Sequence, residues 1–503
     1  MSYQVFGNPA FKYGNTGRLY GSGASSDTVT YWTIEVDWDN AGTYSGTSEG
    51  LYCIGLDTDR GRRNRISIDS NGNSSGFEPM KIGTATITLD NSTRRYDPYN
   101  TSSPLYPNVL PGKYIRIRET YLGVTSPVIH GTIKSIKCFE NNNSTPTAVI
   151  EIEESGRFLQ SAYASIIPET TTNYAAIQDV LNDVSWPSIF GTNLDTDAGF
   201  AGITYFWADN NALTLIREVA EAHLGDFFIA ASGAATFYGR LHDPATTLTL
   251  DSSDFIKDIY VANPLDVIRN VVRVYSQPIN IPALSQVIWQ LVDTPLIANG
   301  DTLTIWCPYT YNNIAVAATT IVGGGPFINF NTLADGTGTD KSSAGDSDIV
   351  FTDYGTKGLI EVTNTSGGDF YIVSMYLEGS PLEQQNGSYT ERTNTTSIAQ
   401  YGRRLFTINN KWIQRTDQSK EFSDWLITYM PDQKRFLTLS IDARPDIQFS
   451  ADLFDIINLT IPTLGISAVD YRIVGIQNKW LNENGQYVRT TWTVEPSPGP
   501  APV

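Results

Sequence analysis

The sequence predicts a mainly β, multidomain protein: two similar antiparallel β-barrel domains, small α+β segments and an inserted β-sandwich. Three observations lead there. Alternating apolar and polar residues recur towards both ends of the chain, helical spacing is confined to a few short stretches, and a Gly/Asp/Thr-rich region past residue 285 carries short strands with nothing helical between them. At 503 residues, and roughly 150 residues per domain, three or four domains are expected. Hydrophobic residues at 41% and aromatics at 12% supply several cores and exclude global disorder.

Residues 1–28 are rich in Gly, Ser and Asn with isolated aromatics (Tyr3, Phe6, Phe11, Tyr13, Tyr20), and read as an arm that docks on a neighbour or stays loose. Structure begins with TYWTIEVDW, where Thr30, Trp32, Ile34, Val36 and Trp38 share one strand face and Tyr31, Glu35 and Asp37 the other. Ala85, Ile87 and Leu89 alternate with threonines. Ile115 and Ile117 alternate with Tyr114, Arg116 and Arg118, and Ile150 and Ile152 with Glu151 and Glu153. With turn residues at 89–91 and 111–113, residues 29–155 read as a first barrel-like domain.

The period then changes. Ile177, Val180, Leu181 and Val184 have helical spacing, with Thr172 or Asn173 as cap and Trp186-Pro187 as stop. A second helix runs from about Asn211 to Leu224 on a stripe of Leu213, Ile216, Val219 or Ala220, and His223, with Gly225 as the C′ residue. The strand pair FFIAASGAATFY follows, making 156–258 a small α+β domain. Residues 285–385 read as the inserted sandwich, with strands such as TLTIWC, GLIEV and YIVSMYL. Residues 259–284 and 386–497 read as a second barrel-like domain with two helices, Thr396–Phe406 and Asp417–Tyr429; 498–503 is a tail.

Charge limits the functions open to this chain. The 34 Lys+Arg against 53 Asp+Glu give −19, which disfavours wrapping nucleic acid through its phosphates or binding anionic membranes. No run of about 18 apolar residues is present, and the N-terminus lacks a basic stretch followed by an apolar one, so no secretory leader is expected. Cys53, Cys138 and Cys307 are far apart and odd in number, fitting neither a disulfide framework nor a zinc motif.

No reaction class emerges. EVAEAHL (218–224) has one histidine and is not HExxH, so His223 reads as the end of an apolar stripe; His130 and His242 stand alone. No GxSxG, P-loop or helix-opening GxGxxG occurs. DGTGTDKSSAGDSD (335–348) and LDTDAG (194–199) contain spaced carboxylates without EF-hand spacing and read as solvated loops. Neither catalytic residue, cofactor nor metal is assigned. The cluster Arg60, Arg62, Arg63 and Arg65 suits a phosphate-rich ligand or, better in so acidic a chain, an acidic surface on a partner or neighbouring subunit. Trp32 and Trp492 read as core, while Trp207 and Trp306 are harder to place.

An internal echo links the two β regions. TATITLDN (84–91) matches FLTLSIDA (436–443), KYIRIRETYLG (113–123) matches DIINLTIPTLG (455–465), VIHGTIKSIK (128–137) matches YRIVGIQNKW (471–480) with Gly131 opposite Gly475, and AVIEIEES (148–155) matches TTWTVEPS (490–497).

GTATITLDNSTRRYDPYNTSSPLYPNVLPGKYIRIR (83–118), followed by HGTIKSI (130–136), resembles the N-terminal region of phage tail-tip and baseplate hub proteins, the siphophage minor tail proteins. The C-terminal order SIAQYGRRLF, EFSDWLITYM, DLFDIINLTIP, YRIVGIQNKW, TTWTVEPSP is similar to the same family, while 285–385 departs from it. The resemblance implies a structural virion protein at the tail tip. In the absence of a catalytic motif no enzymatic activity is expected, and the missing leader and unpaired cysteines fit assembly in the host cytoplasm. The resemblance also implies a homotrimer presenting six barrels to a sixfold tail tube and enclosing a channel for tape-measure protein and DNA, which passes without specific binding. Implied partners are a distal tail or tail-tube protein, the tape-measure protein, and a tail fibre or receptor-binding protein. A hexameric distal tail ring, a carbohydrate-binding adhesin acting through 285–385, and a hydrolase with clustered carboxylates remain as alternatives.

Overall fold

The computed structural model describes residues 31–44, 47–62, 66–68, 74–140, 145–196, 202–240, 242, 245–254, 257–262, 265–343, 345–385, 387–432, 434–442, 444–480 and 488–497. The arm 1–28 and the tail 498–503 lie outside them.

The largest sheet has twelve strands. In chain order they are β1 (Tyr31–Val36), β2 (Cys53–Gly61), β3 (Lys81–Asp90), β4 (Tyr114–Tyr121), β5 (Val124–Phe139), β6 (Thr147–Glu154), β7 (Thr246–Asp251), β8 (Lys257–Ala262), β9 (Phe436–Asp442), β10 (Ile456–Ile461), β11 (Ile466–Trp480) and β12 (Val488–Pro496). The hydrogen-bonded order is β1-β4-β5-β6-β3-β2-β11-β12-β9-β8, with β10 on β11 and β7 on β10.

Divided between β2 and β11, this ladder is one strand order used twice. The N-terminal unit reads β2-β3-β6-β5-β4-β1 and the C-terminal unit β8-β9-β12-β11-β10-β7. Registers repeat as well. Ala85 faces Ile152 as Leu437 faces Val494, and Ile133 faces Ile152 as Ile473 faces Val494. Ile117 faces Ile129 as Leu459 faces Val469. Even the register break recurs, between Ile133 and Ser135 and between Ile473 and Gly475. The sequence echo therefore has a structural counterpart, with one correction: the register makes Ser135, not Gly131, the counterpart of Gly475. The units differ at one edge, where β1 runs antiparallel to β4 but β7 parallel to β10.

Alternation explains why each unit closes on a core. Trp32, Ile34, Leu56, Ile87, Ile117, Ile129 and Ile150, drawn from six strands, form one buried cluster. Leu437, Leu439, Ile457, Leu459, Ile473, Trp492 and Val494 form its counterpart. Each such side chain contributes about 1.5–3 kcal/mol relative to exposure. Among the described residues no pairing joins β1 to β2, although both strands contribute side chains to the one core.

Between the units, helices Asn173–Asp183 and Ala212–Ala222 pack Ile177, Val180, Leu213, Ile216 and Val219 into a third core. Thr172 Oγ1 and Asn211 Oδ1 accept the N-cap hydrogen bonds from Ala175 N (3.2 Å) and Thr214 N (3.1 Å). The left-handed residue that ends the second helix is Leu224 (φ 57°), not Gly225, whose N–H donates to Ala220 O at 2.9 Å. The helix expected over 396–406 stops at Tyr401 because Gly402 turns away at φ 75°. Leu405–Asn409 is instead a strand alongside Val271–Tyr275. Helix Thr416–Tyr429 buries Phe422, Trp425 and Leu426.

Two main sheets build the insertion, beside a two-stranded pairing of Thr310–Tyr311 with Ile314–Ala315. One is organised on the long strand Phe370–Gln384, and the other orders Thr302–Pro308, Lys357–Asn364 and Ser347–Asp353. Cys307, Ile360, Val362, Phe370, Ile372 and Leu377 fill the space between them. Asp209 ties the insertion down, accepting from Thr356 Oγ1 (2.7 Å) and Lys357 Nζ (3.0 Å).

Candidate functional site

The two β units are joined edge to edge, and buried charges gather at that join. β2 and β11 pair antiparallel from Asp57↔Lys479 to Gly61↔Gly475. The two strands meet closely where the two glycines face each other. A Cβ on Gly61 (φ 92°) would stand 2.2 Å from the Val474 carbonyl oxygen, so only glycine fits there. The next residue continues the ladder, Arg62 N donating to Val474 O at 2.7 Å.

Two arginines of the sequence cluster leave β2 here and turn inward, each 3% exposed. Arg60 bonds Glu154 through Nε, Asp452 Oδ1 through Nη1 (2.6 Å) and the Ile229 carbonyl through Nη2 (2.8 Å). One guanidinium thus joins the N-terminal unit, the C-terminal unit and the intervening α+β segment. Glu154 also accepts from Gly83 N at 2.7 Å, and Asp452 from Ala231 N at 2.7 Å. Burial alone would lower the Arg60 pKa, but the Asp452 and Glu154 carboxylates outweigh it and raise the value. Burial lifts Glu154 above the usual carboxylate range against the pull of Arg60. Arg62 reaches Asp226 Oδ1 (2.9 Å) and lies 3.6 Å from Glu495, which Arg472 Nη2 also engages at 2.5 Å. The Phe454 ring lies beneath both guanidinium groups, 5.8 Å from Arg62 and 4.9 Å from Arg472.

The acidic surface expected opposite Arg60 and Arg62 is therefore supplied by the chain itself. Arg63 and Arg65 lie outside the described residues. Sequence spacing marked the cluster but missed Glu154, Asp226, Asp452 and Glu495, because residues so distant in sequence meet only through the strand order.

The remaining candidates scatter. Cys53 and Cys307 are buried and Cys138 is exposed. His130 is held by Tyr44 and Ser232, His223 packs near Phe237, and His242 stacks on Tyr238 at 3.6 Å. Among the described residues no group of three or more His, Cys, Asp or Glu is placed to hold a metal. In 335–348, Asp335 and Asp340 accept from Thr337 N (3.0 Å) and Ser342 N (2.8 Å), as turn residues do; 194–199 extends beyond the described residues. Trp32 and Trp492 are core. Trp207 packs on Trp412 at 5.2 Å, and Trp306 stays 54% exposed beside Tyr354. A cleft of about 900 Å³ separates the insertion (Tyr309, Tyr311, Gln384) from Trp207, Asp209 and Lys411. No helix among the described residues is long and apolar enough to cross a membrane.

No family model matches the sequence, and no curated protein matches it. Among solved structures, the chain is similar to the 43 kDa tail protein of prophage MuSo2 from Shewanella oneidensis. That likeness has TM-score 0.48 and 9% identity over 94% of this chain and 100% of that one. It is also similar to a tail protein from Neisseria meningitidis MC58 (TM-score 0.49, 9% identity, 94% and 98% covered). A third is a prophage tail protein from Listeria monocytogenes EGD-e (TM-score 0.43, 9% identity, 93% and 95% covered).

Proposed function

We propose that the chain is a structural protein of a phage tail tip, a baseplate hub that acts as a homotrimer between a sixfold tail tube and threefold parts below it. The observation that carries this reading is the doubled ladder: one strand order and one set of registers used twice, joined edge to edge through β2 and β11. Two equivalent units per chain turn three copies into six units, which is what an adapter between threefold and sixfold symmetry requires. The buried Arg60 and Arg62 network suits this role, since it fixes the two units relative to each other. In this reading tape-measure protein and DNA pass through the central channel. The surplus of 53 acidic over 34 basic residues keeps DNA from adhering, because phosphate finds few cations to replace its counterions. The distal tail or tube protein, the tape measure and a fibre or receptor-binding protein are its partners.

The test is the native mass of the purified full-length chain together with its copy number in a particle. A mass three times that of the 55.4 kDa chain is expected. A hexamer points to a distal tail ring. A monomer that binds glycan and is missing from tails overturns the hub reading in favour of an adhesin.

A further inference from the structure

The doubled ladder leaves one junction made and its equivalent unmade. β2 and β11 form the junction inside the chain. The strand equivalent to β2 is β8, and the strand equivalent to β11 is β5. Among the described residues β8 pairs only with β9, and beyond Ile133 β5 pairs only with β6. Each open edge is thus the counterpart of an edge already used in the internal junction.

We propose that the partner of these edges is a second copy of this chain, with β8 of one copy pairing antiparallel to β5 of the next in the register of the β2–β11 junction. This rests on the hub reading and adds to it the strands and residues through which copies meet.

The internal registers fix the external one. Thr58 faces Ala85 as Val261 faces Leu437, so Val261 stands where Thr58 stands. Asn478 faces Thr490 as Cys138 faces Ala148, and Thr490 and Ala148 face the equivalent Ile441 and Leu89. Cys138 therefore stands where Asn478 stands. The internal pair Thr58↔Asn478 becomes Val261 opposite Cys138 of the partner subunit, flanked by Tyr260 opposite Phe139 and Ala262 opposite Lys137.

Exposure follows the same logic. In the completed junction Thr58 and Asn478 are 5% and 4% exposed. On the open edges Cys138 is exposed, Phe139 is 48% exposed and Tyr260 66%. Two large aromatics standing in water on two unpaired strand edges invite association, and this register sets them directly opposite each other, where an aromatic pair is favourable. It brings no like charges together. Because the contact joins two different edges, each copy offers one to either neighbour, and the repeat closes a ring when the rotation allows.

The test uses the single exposed native cysteine. In the full-length chain, Val261→Cys should give covalent oligomers under mild oxidation or with a short bismaleimide, with a ladder ending at three chains. Adding Cys138→Ser should abolish them. Independently, Tyr260→Glu should weaken association at least tenfold, and adding Phe139→Lys should restore most of it. If the chain is trimeric by native mass but neither Val261→Cys cross-links nor the charge pair rescues, the edge pairing is overturned and the hub reading stands. If the chain is monomeric at every concentration, both are overturned.

Discussion

Phe454 occupies in the C-terminal unit the place that Gly112 occupies in the N-terminal one. Both backbones are left-handed, at φ 70° and 85°, and their N–H groups donate to the equivalent carbonyls of Ile473 and Ile133, each at 2.7 Å. One turn has therefore been kept with a glycine in one copy and a bulky aromatic in the other. Phe454 tolerates the conformation because its ring is 1% exposed, 4.6 Å from Phe228 and beneath Arg62 and Arg472.

The two positions should respond oppositely to substitution by size. At Gly112 a Cβ meets nothing within 4 Å, so Gly112→Ala should cost only the left-handed backbone, about 1 kcal/mol. Phe454→Gly should regain a similar amount but lose a buried aromatic of about 3–5 kcal/mol, a net loss of at least ~2 kcal/mol. Urea unfolding midpoints of the two variants measure the contrast. Equal, small effects would show that the ring does not compensate for its backbone.

Removing one partner from the Arg60 network should be worse than removing two. Arg60→Leu leaves Glu154 buried at 1% exposure without its cation, a loss of about 3–5 kcal/mol. Asp452, at 29% side-chain exposure, keeps solvent. Arg60→Leu with Glu154→Leu should recover a substantial part of that loss, giving a favourable coupling in a double-mutant cycle. Additive effects would mean that the arginine acts on the units through Asp452 and Ile229 alone.

Much of this fold was legible because alternation survives in both units: Ala85-Ile87-Leu89 and Leu437-Leu439-Ile441 show their buried faces in sequence. The order of the repeat was legible too, while its register slipped at 128–137. The irregularity at Lys134 recurs at Val474 and so shifts neither copy against the other. Setting Gly131 against Gly475 misaligned the segment, because equivalent positions are defined by the ladder pairing and not by residue type. Helix ends failed where a residue other than the expected one turned left-handed, as Leu224 did. The seam itself was not legible. Arg60 and Arg62 are adjacent in pattern, but Asp226, Asp452 and Glu495 join them only once β2 lies on β11.

His130 should make the chain acid-sensitive. Its Nδ1–H donates to Ser232 O at 2.7 Å and Nε2 accepts from Tyr44 OH at 2.6 Å, so both ring nitrogens are occupied in the neutral form. Burial drives its pKa down from 6.5 to about 4. A base held neutral by folding contributes its stability in full above pH 6.5 and loses it as pH falls towards 4, by at most about 1.4 kcal/mol per pH unit. The wild-type midpoint should therefore fall across that window more steeply than that of His130→Gln. Parallel curves would assign the acid sensitivity elsewhere.

Glu119 should act in the opposite direction and at higher pH. It lies on β4 opposite Trp32, is 1% exposed, and its Oε1 has no hydrogen-bond partner among the described residues. Burial pushes its carboxyl up to about 8. A carboxyl that folding keeps protonated contributes fully below its ordinary 4.5 and progressively less as pH rises towards 8, at up to about 1.4 kcal/mol per unit. Glu119→Gln keeps the shape without the charge, so it should match the wild type near pH 4.5 and exceed it near pH 8. The quantity to follow is the difference between the two unfolding midpoints, in which other titrating groups cancel. A difference that stays constant from pH 4.5 to 8 would mean that Glu119 ionises in the fold at its ordinary pH, with water or a neighbour reaching the carboxylate.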